Sequence, residues 1–135
     1  LPASTSYLME GAVWMHTTGT TSHDLSLLFG GPATITSIQY IGGIGISATP
    51  VVVPAAQADF VSNVASAVAV AGAVATATYY SFSYTGIVRI NGTGTFIPQF
   101  KFSAAPGAAP VVRTNSYFKL TPFGTNTAVT VGNWS

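Results

Sequence analysis

From Tyr80 to Ile90 the chain alternates apolar and polar residues with a period of two. Tyr80, Phe82, Tyr84, Val88 and Ile90 share one face, and Ser81, Ser83, Thr85 and Arg89 share the other. Successive side chains of a strand point to opposite sides of a sheet, so this run reads as a strand with one buried face. Asn91-Gly92 follows, the dipeptide that best suits a type I′ turn, in which both central residues need positive φ. Phe96, Pro98, Phe100 and Phe102 then alternate with Ile97, Gln99 and Lys101. The pattern predicts a β-hairpin closed at Asn91-Gly92. Pro98 has no N–H to give to a ladder, which places the second strand at a sheet edge or a bulge.

The same period recurs on either side. Beyond the loop Ala104-Ala-Pro-Gly-Ala-Ala-Pro110, the run from Val111 to Thr121 sets Ser116, Phe118 and Leu120 against Tyr117 and Lys119, and Ala128 to Trp134 can form a last strand. Tyr7 to Met15, Leu25 to Phe29 and Ala33 to Ile41 read as strands separated by Thr17-Thr-Gly-Thr-Thr-Ser22 and Gly30-Gly31-Pro32. From 42 to 54 three glycines and two prolines predict a flexible stretch. Phe60, Val61, Val64, Ala65 and Val68 fit a helical stripe, so one short helix is expected near 55–66. Many short strands with Gly/Pro turns specify an all-β fold, here an antiparallel β-sandwich of jelly-roll type. At 135 residues the chain forms a single domain, 1–135. It begins at Leu1 and carries no signal-peptide pattern, so it is expected to be a processed product or the C-terminal part of a longer chain.

Charge narrows the function. Three acidic and four basic residues make 5% of the chain, against about 25% in an ordinary domain. Four scattered cations cannot track a phosphate backbone, so nucleic acid is not an expected partner. The uncharged run from Val64 to Ala75 is too short and too rich in alanine for a spanning helix, so membrane insertion is not expected either. Without cysteine there are no disulfides or thiolate metal sites. With so few charges the outer faces must be solvated by Ser, Thr, Asn and Gln, while Ile87, Ile97 and Tyr117 fall on faces that should be wet. Exposed apolar residues of that kind mark an interface. They, with Trp14, are the candidate receptor or interface contacts, and a homo-oligomer is expected.

Candidate chemistry is sparse. His16 and His23 flank the Thr-rich turn, so a hairpin there would bring them together beside Asp24, a combination able to hold a transition metal. The spacing matches no zinc signature, and a solvated hydrogen-bonding pair is the plainer reading. There is no Gly-x-Ser-x-Gly elbow, no His-Glu-x-x-His and no phosphate-binding loop at Gly42-Gly43-Ile44-Gly45. A glycosidase-like carboxylate pair is conceivable from Glu10 with Asp24 or Asp59, but Glu10 reads better as a bulge or salt-bridged position. No enzyme activity and no cofactor are expected. Tyr7, Trp14, Tyr40, Tyr79, Tyr117 and Trp134 could stack on sugars where exposed, which keeps a carbohydrate-binding module as an alternative. A filament subunit joined by strand exchange is another.

Several stretches resemble one β-rich module of tailed-bacteriophage structural proteins. They are the opening Tyr7-Leu-Met-Glu-Gly11, Thr18-Gly-Thr-Thr-Ser-His23, and Thr85-Gly-Ile-Val-Arg-Ile-Asn-Gly-Thr-Gly-Thr-Phe-Ile-Pro-Gln-Phe100. Ser103-Ala-Ala-Pro-Gly107, Asn115-Ser-Tyr-Phe-Lys-Leu-Thr-Pro-Phe-Gly124 and Val131-Gly-Asn-Trp-Ser135 complete the pattern. The resemblance covers most of the chain, least between 42 and 76. It implies a virion fibre, spike, collar or head-decoration subunit, commonly trimeric, at the particle surface. Its partners would be copies of itself, other virion proteins, and a host-surface glycan or protein met by loops 17–22, 42–54 and 104–110. It supplies no catalytic residues.

Overall fold

The alternating run becomes β6 (Thr78–Gly92), which pairs antiparallel with β1 (Thr5–Thr17) on one side and β3 (Thr34–Ser47) on the other. Beyond β3 lies β4 (Ala56–Ser62). The far edge of β1 is shared by β9 (Tyr117–Thr125), opposite Thr5 to Ala12, and β8 (Val111–Val112), opposite Met15 and His16. A smaller sheet runs in the order β5 (Val68–Val74), β2 (His23–Gly30), β7 (Ile97–Phe102), again antiparallel. This computed structural model describes residues 1–47, 56–74 and 78–125. The fold is an all-β antiparallel sandwich, with no helix among the described residues. Every sequential connection except β3 to β4 and β8 to β9 passes from one sheet to the other.

The core lies between the sheets, and aromatic rings join them. Phe29 of the small sheet meets Tyr40 at 5.1 Å and Tyr84 at 5.6 Å edge-on, and it stacks on Phe96 at 5.1 Å. Phe82 meets Phe100 across the same gap at 5.3 Å. Such pairs add about 0.5–1.5 kcal/mol each beyond the area they bury. The predicted faces are as read: the five apolar residues of the Tyr80–Ile90 run are all buried, while Ile97, Gln99 and Lys101 point outward. β7 is an edge strand, one of the two placements Pro98 allows.

Four expectations are corrected. Asn91-Gly92 does not close a hairpin, because β6 and β7 belong to different sheets and neither residue has the positive φ of that turn. Both edges of β6 are already taken by β1 and β3, so the chain crosses over and delivers Phe96 to the core. No helix forms over 56–66. In β4 Phe60 turns inward against Tyr40, while Val61 is 69% exposed, which splits the supposed helical stripe between two faces. The free edge of β3 supplies hydrogen-bond partners that outweigh the helical pattern.

The glycines of 42–47 belong to β3 rather than to a flexible stretch. A Cβ on Gly42 would lie 2.3 Å from the Ser83 carbonyl oxygen and 2.5 Å from the Phe60 ring, so the strand needs glycine for close approach. The Val111 to Thr121 run is divided into β8 and β9 by a turn in which the Ser116 N–H donates to the Arg113 carbonyl at 3.0 Å. Residues 48–54 and the strand expected at 128–134 lie outside the described residues. No helix among the described residues is long and apolar enough to cross a membrane.

Removing the ring that joins the sheets should be costly. Phe29→Ala is expected to destabilise the fold by about 3–5 kcal/mol, the usual range for emptying a buried aromatic site. Equilibrium denaturation in urea measures it, and a loss below about 1 kcal/mol would show that this cluster does not hold the sheets together.

Candidate functional site

The outer face of the larger sheet carries most of the exposed large apolar residues. Strand register arranges them in rows. Val61, Ile41, Thr85, Glu10 and Lys119 lie abreast from β4 to β9, and Gln39, Ile87, Leu8 and Thr121 form the next row toward the start of β1. In the other direction come Asp59, Gly43, Ser83, Ala12 and Tyr117, and then Gly45, Ser81 and Trp14. Leu8, Ile41, Val61 and Ile87 therefore make one aliphatic patch. Trp14 and Tyr117, 42% and 53% exposed, stand at the other end of the face.

Between the two ends an open concavity of about 690 Å³ is lined by Glu10, Asp59, Ser83, Thr85, Ile41 and Tyr117, among others. Its polar groups are mainly acceptors and hydroxyls. The nearby cation Lys119 is engaged by Glu10 at 3.5 Å, a cross-strand surface pair that bears out the salt-bridged reading of Glu10. Such exposed pairs contribute about 0–1 kcal/mol. Glu10 and Asp59 sit three strands apart, about 14 Å at the usual strand spacing, whereas glycosidase carboxylates lie about 5–9.5 Å apart. Asp24 is on the other sheet.

The predicted metal combination is dispersed. β1 and β2 lie in different sheets, so the expected hairpin between His16 and His23 does not form, and β1 already has partners on both edges. His16 is half-buried and stacks on Tyr79 at 4.1 Å with 17° between planes. His23 is buried between the sheets, while its neighbour Asp24 takes the opposite face of β2. Among the described residues no three His, Asp or Glu side chains are grouped to hold a metal. Of the candidate contacts, Trp14, Ile87 and Tyr117 share the large outer face. Ile97, 44% exposed, stands apart on the small sheet.

His23 makes a buried side-chain hydrogen bond between the two layers. Its Nδ1–H donates to the Thr21 carbonyl at 2.8 Å, since a carbonyl can only accept, and its Nε2 accepts from the Tyr80 hydroxyl at 2.7 Å. The Thr21 loop is tied in turn to the 104–110 loop, its N–H donating to the Pro106 carbonyl at 3.3 Å. Two of the loops expected to meet a receptor thus lie together, at the end of the sandwich where β1 finishes. Tyr84 differs from Tyr80. Its ring lies over Gly11, where a Cβ would come within 2.4 Å, and its buried hydroxyl has no partner among the described residues.

The concavity escaped sequence reading because its lining comes from β1, β3, β4, β6 and β9. Ser83 and Thr85 were legible as outward-facing from the alternation of β6. The position of Asp59 was not, since its segment read as helix. Comparison with protein-family models, with curated proteins and with solved structures finds no match.

The two tyrosines should respond oppositely to loss of the hydroxyl. Tyr80→Phe leaves His23 Nε2 without its donor and is expected to cost about 1–3 kcal/mol, whereas Tyr84→Phe removes an unsatisfied buried group and should be neutral or stabilising. Urea denaturation of both variants checks this. Burial also raises the Tyr40, Tyr80 and Tyr84 pKa values above the ordinary tyrosine value, with the proximity of Tyr40 adding to the shift at Tyr84. The fold therefore favours the neutral phenols, and this contribution is complete below about pH 10, where unfolded tyrosine ionises. Stability should fall as the pH rises beyond that point through the raised values. Denaturation midpoints between pH 8 and 11 measure the loss, and a flat profile would contradict it.

Proposed function

We infer that this chain is a structural protein of a tailed-bacteriophage virion, a fibre, spike, collar or head-decoration subunit. It assembles with copies of itself, as the trimer common among the modules it resembles, and contributes to host attachment. The observation that carries the assembly reading is the aliphatic patch of Leu8, Ile41, Val61 and Ile87, contiguous on four adjacent strands. Patches of that kind on a charge-poor surface are stabilised by a partner. A symmetric homo-oligomer supplies one without a second gene product. The virion reading rests on the resemblance of the β6–β7 and β9 stretches to phage modules.

Strand exchange along a filament is less favoured by the register. β1 lies between β6 and the β8/β9 edge of its own chain, so donating Thr5–Thr17 to a neighbour would open the middle of the large sheet.

Light scattering coupled to size exclusion is the first test. The native chain should elute at a multiple of its 13.8 kDa mass, and Ile41→Asp and Ile87→Asp should each shift it to the single-chain mass without unfolding it. A monomeric native chain overturns the assembly reading. Antibody against the chain should label purified particles of the phage that encodes it, and failure to find the chain in particles overturns the virion reading.

A further inference from the structure

We propose that the aromatic end of the large outer face, with the adjoining concavity, is a binding site for a neutral oligosaccharide. The inference extends the attachment part of the reading above by naming a site and a ligand chemistry. Its first support is the exposure of Trp14 and Tyr117, whereas Tyr7, Phe29, Tyr40, Tyr80, Phe82, Tyr84 and Phe96 are buried in the core. Tyr117 pairs with Ala12, two residues before Trp14 on the neighbouring strand. Diagonal neighbours of this kind lie about 7–8 Å apart. They are held on a sheet rather than a loop: the Trp14 N–H donates to Ser116 Oγ at 3.0 Å, and the Arg113 N–H donates to the Trp14 carbonyl at 2.8 Å. Toward the concavity their neighbours on the same face are Ala12, Ser81, Ser83, Gly43 and Gly45, and beyond Trp14 stands the stacked pair His16 and Tyr79. The small neighbours leave the two rings open on the concavity side to the apolar C–H faces of sugars.

The second support is chemical complementarity. The concavity that Tyr117 borders offers carboxylate acceptors from Glu10 and Asp59 and hydroxyls from Ser83 and Thr85. A ligand that fits must supply hydroxyl donors together with apolar ring faces, which is the pattern of a pyranose chain. The Glu10 and Asp59 carboxylates would repel carboxylated or sulfated polymers from the concavity, where Lys119 is engaged by Glu10, and Arg113 is the basic residue beside Trp14. Nucleic acid is disfavoured for the same reason, despite the aromatic rings, since stacking sites on single strands also need a cationic track. Trp14 and Tyr117 lie at the end of the face away from Leu8 and Ile87, so association of copies through those residues leaves the two rings open, while Ile41 and Val61 border both the aliphatic patch and the concavity.

The experiment is binding of the full native chain to a printed array of neutral microbial and plant oligosaccharides, with sialylated and uronic-acid glycans alongside. Binding to neutral glycans is expected. Trp14→Ala and Tyr117→Ala should each weaken it at least tenfold, Tyr117→Phe should retain it, and Lys101→Ala on the opposite sheet should leave it unchanged. Urea denaturation confirms that each variant is folded. No binding to any neutral glycan, or binding confined to the acidic ones, overturns the proposal. So does a lowered oligomer mass in Trp14→Ala and Tyr117→Ala without glycan binding, which would make this end a contact between copies. A monomeric chain that binds neutral glycans through the two rings would sustain the site while overturning the assembly reading.

Discussion

A strand has two hydrogen-bonding edges, and β6 uses both of them over nearly its whole length, with β1 on one side and β3 on the other. Most of the architecture follows from that. No place remains beside β6 for the segment that comes next, so the chain leaves the large sheet after Gly92 and β7 pairs with β2 instead. Phe96 enters the core on the way and stacks on Phe29, which also touches Tyr40 and Tyr84 of the opposite sheet. The crossing therefore places the rings between the layers where they join them. β1 is in the same position, flanked by β6 and by β8/β9, and its successor β2 likewise moves to the small sheet.

The same pairing builds the outer surface. Five strands held side by side turn every second residue of β1, β3 and β6 outward, and with so few charged residues in the chain that face cannot be a uniformly solvated one. It divides along the strand direction into an aliphatic end, an acceptor-rich middle and an aromatic end. Packing demands on the inner side shape this outer face as well. Gly42 and Gly11 are glycine because Phe60 and Tyr84 occupy the space their side chains would need, and both border the concavity. Assembly and recognition can thus occupy one sheet face without a reactive side chain.

The residues of the site were legible to different degrees. Ile87 and Tyr117 were marked by apolar character on a face expected to be wet, which β-strand alternation is sufficient to show, whereas Trp14 was marked only as a ring able to stack on a sugar. Glu10 was readable as salt-bridged, although its partner Lys119 lies 109 positions further along and only the β1–β9 register joins them. Asp59 was concealed by a helical pattern at 55–66. There the apolar spacing suits either structure, and the free edge of β3 decides between them.

The sequence alone determined that this chain is all-β with an apolar side to its longer strands, because a two-residue period survives whatever the strands pair with. It also confined the strand with Pro98 to a sheet edge or a bulge, because proline lacks the donor an inner strand needs, and the topology makes β7 an edge strand. Only the tertiary structure decided which strands are neighbours. Asn91-Gly92 and the Thr-rich segment before His23 carry local turn signals, yet neither closes a hairpin. A local preference of a few residues cannot prevail when the adjoining strand has no free edge and the following aromatic residues gain more from burial between the sheets.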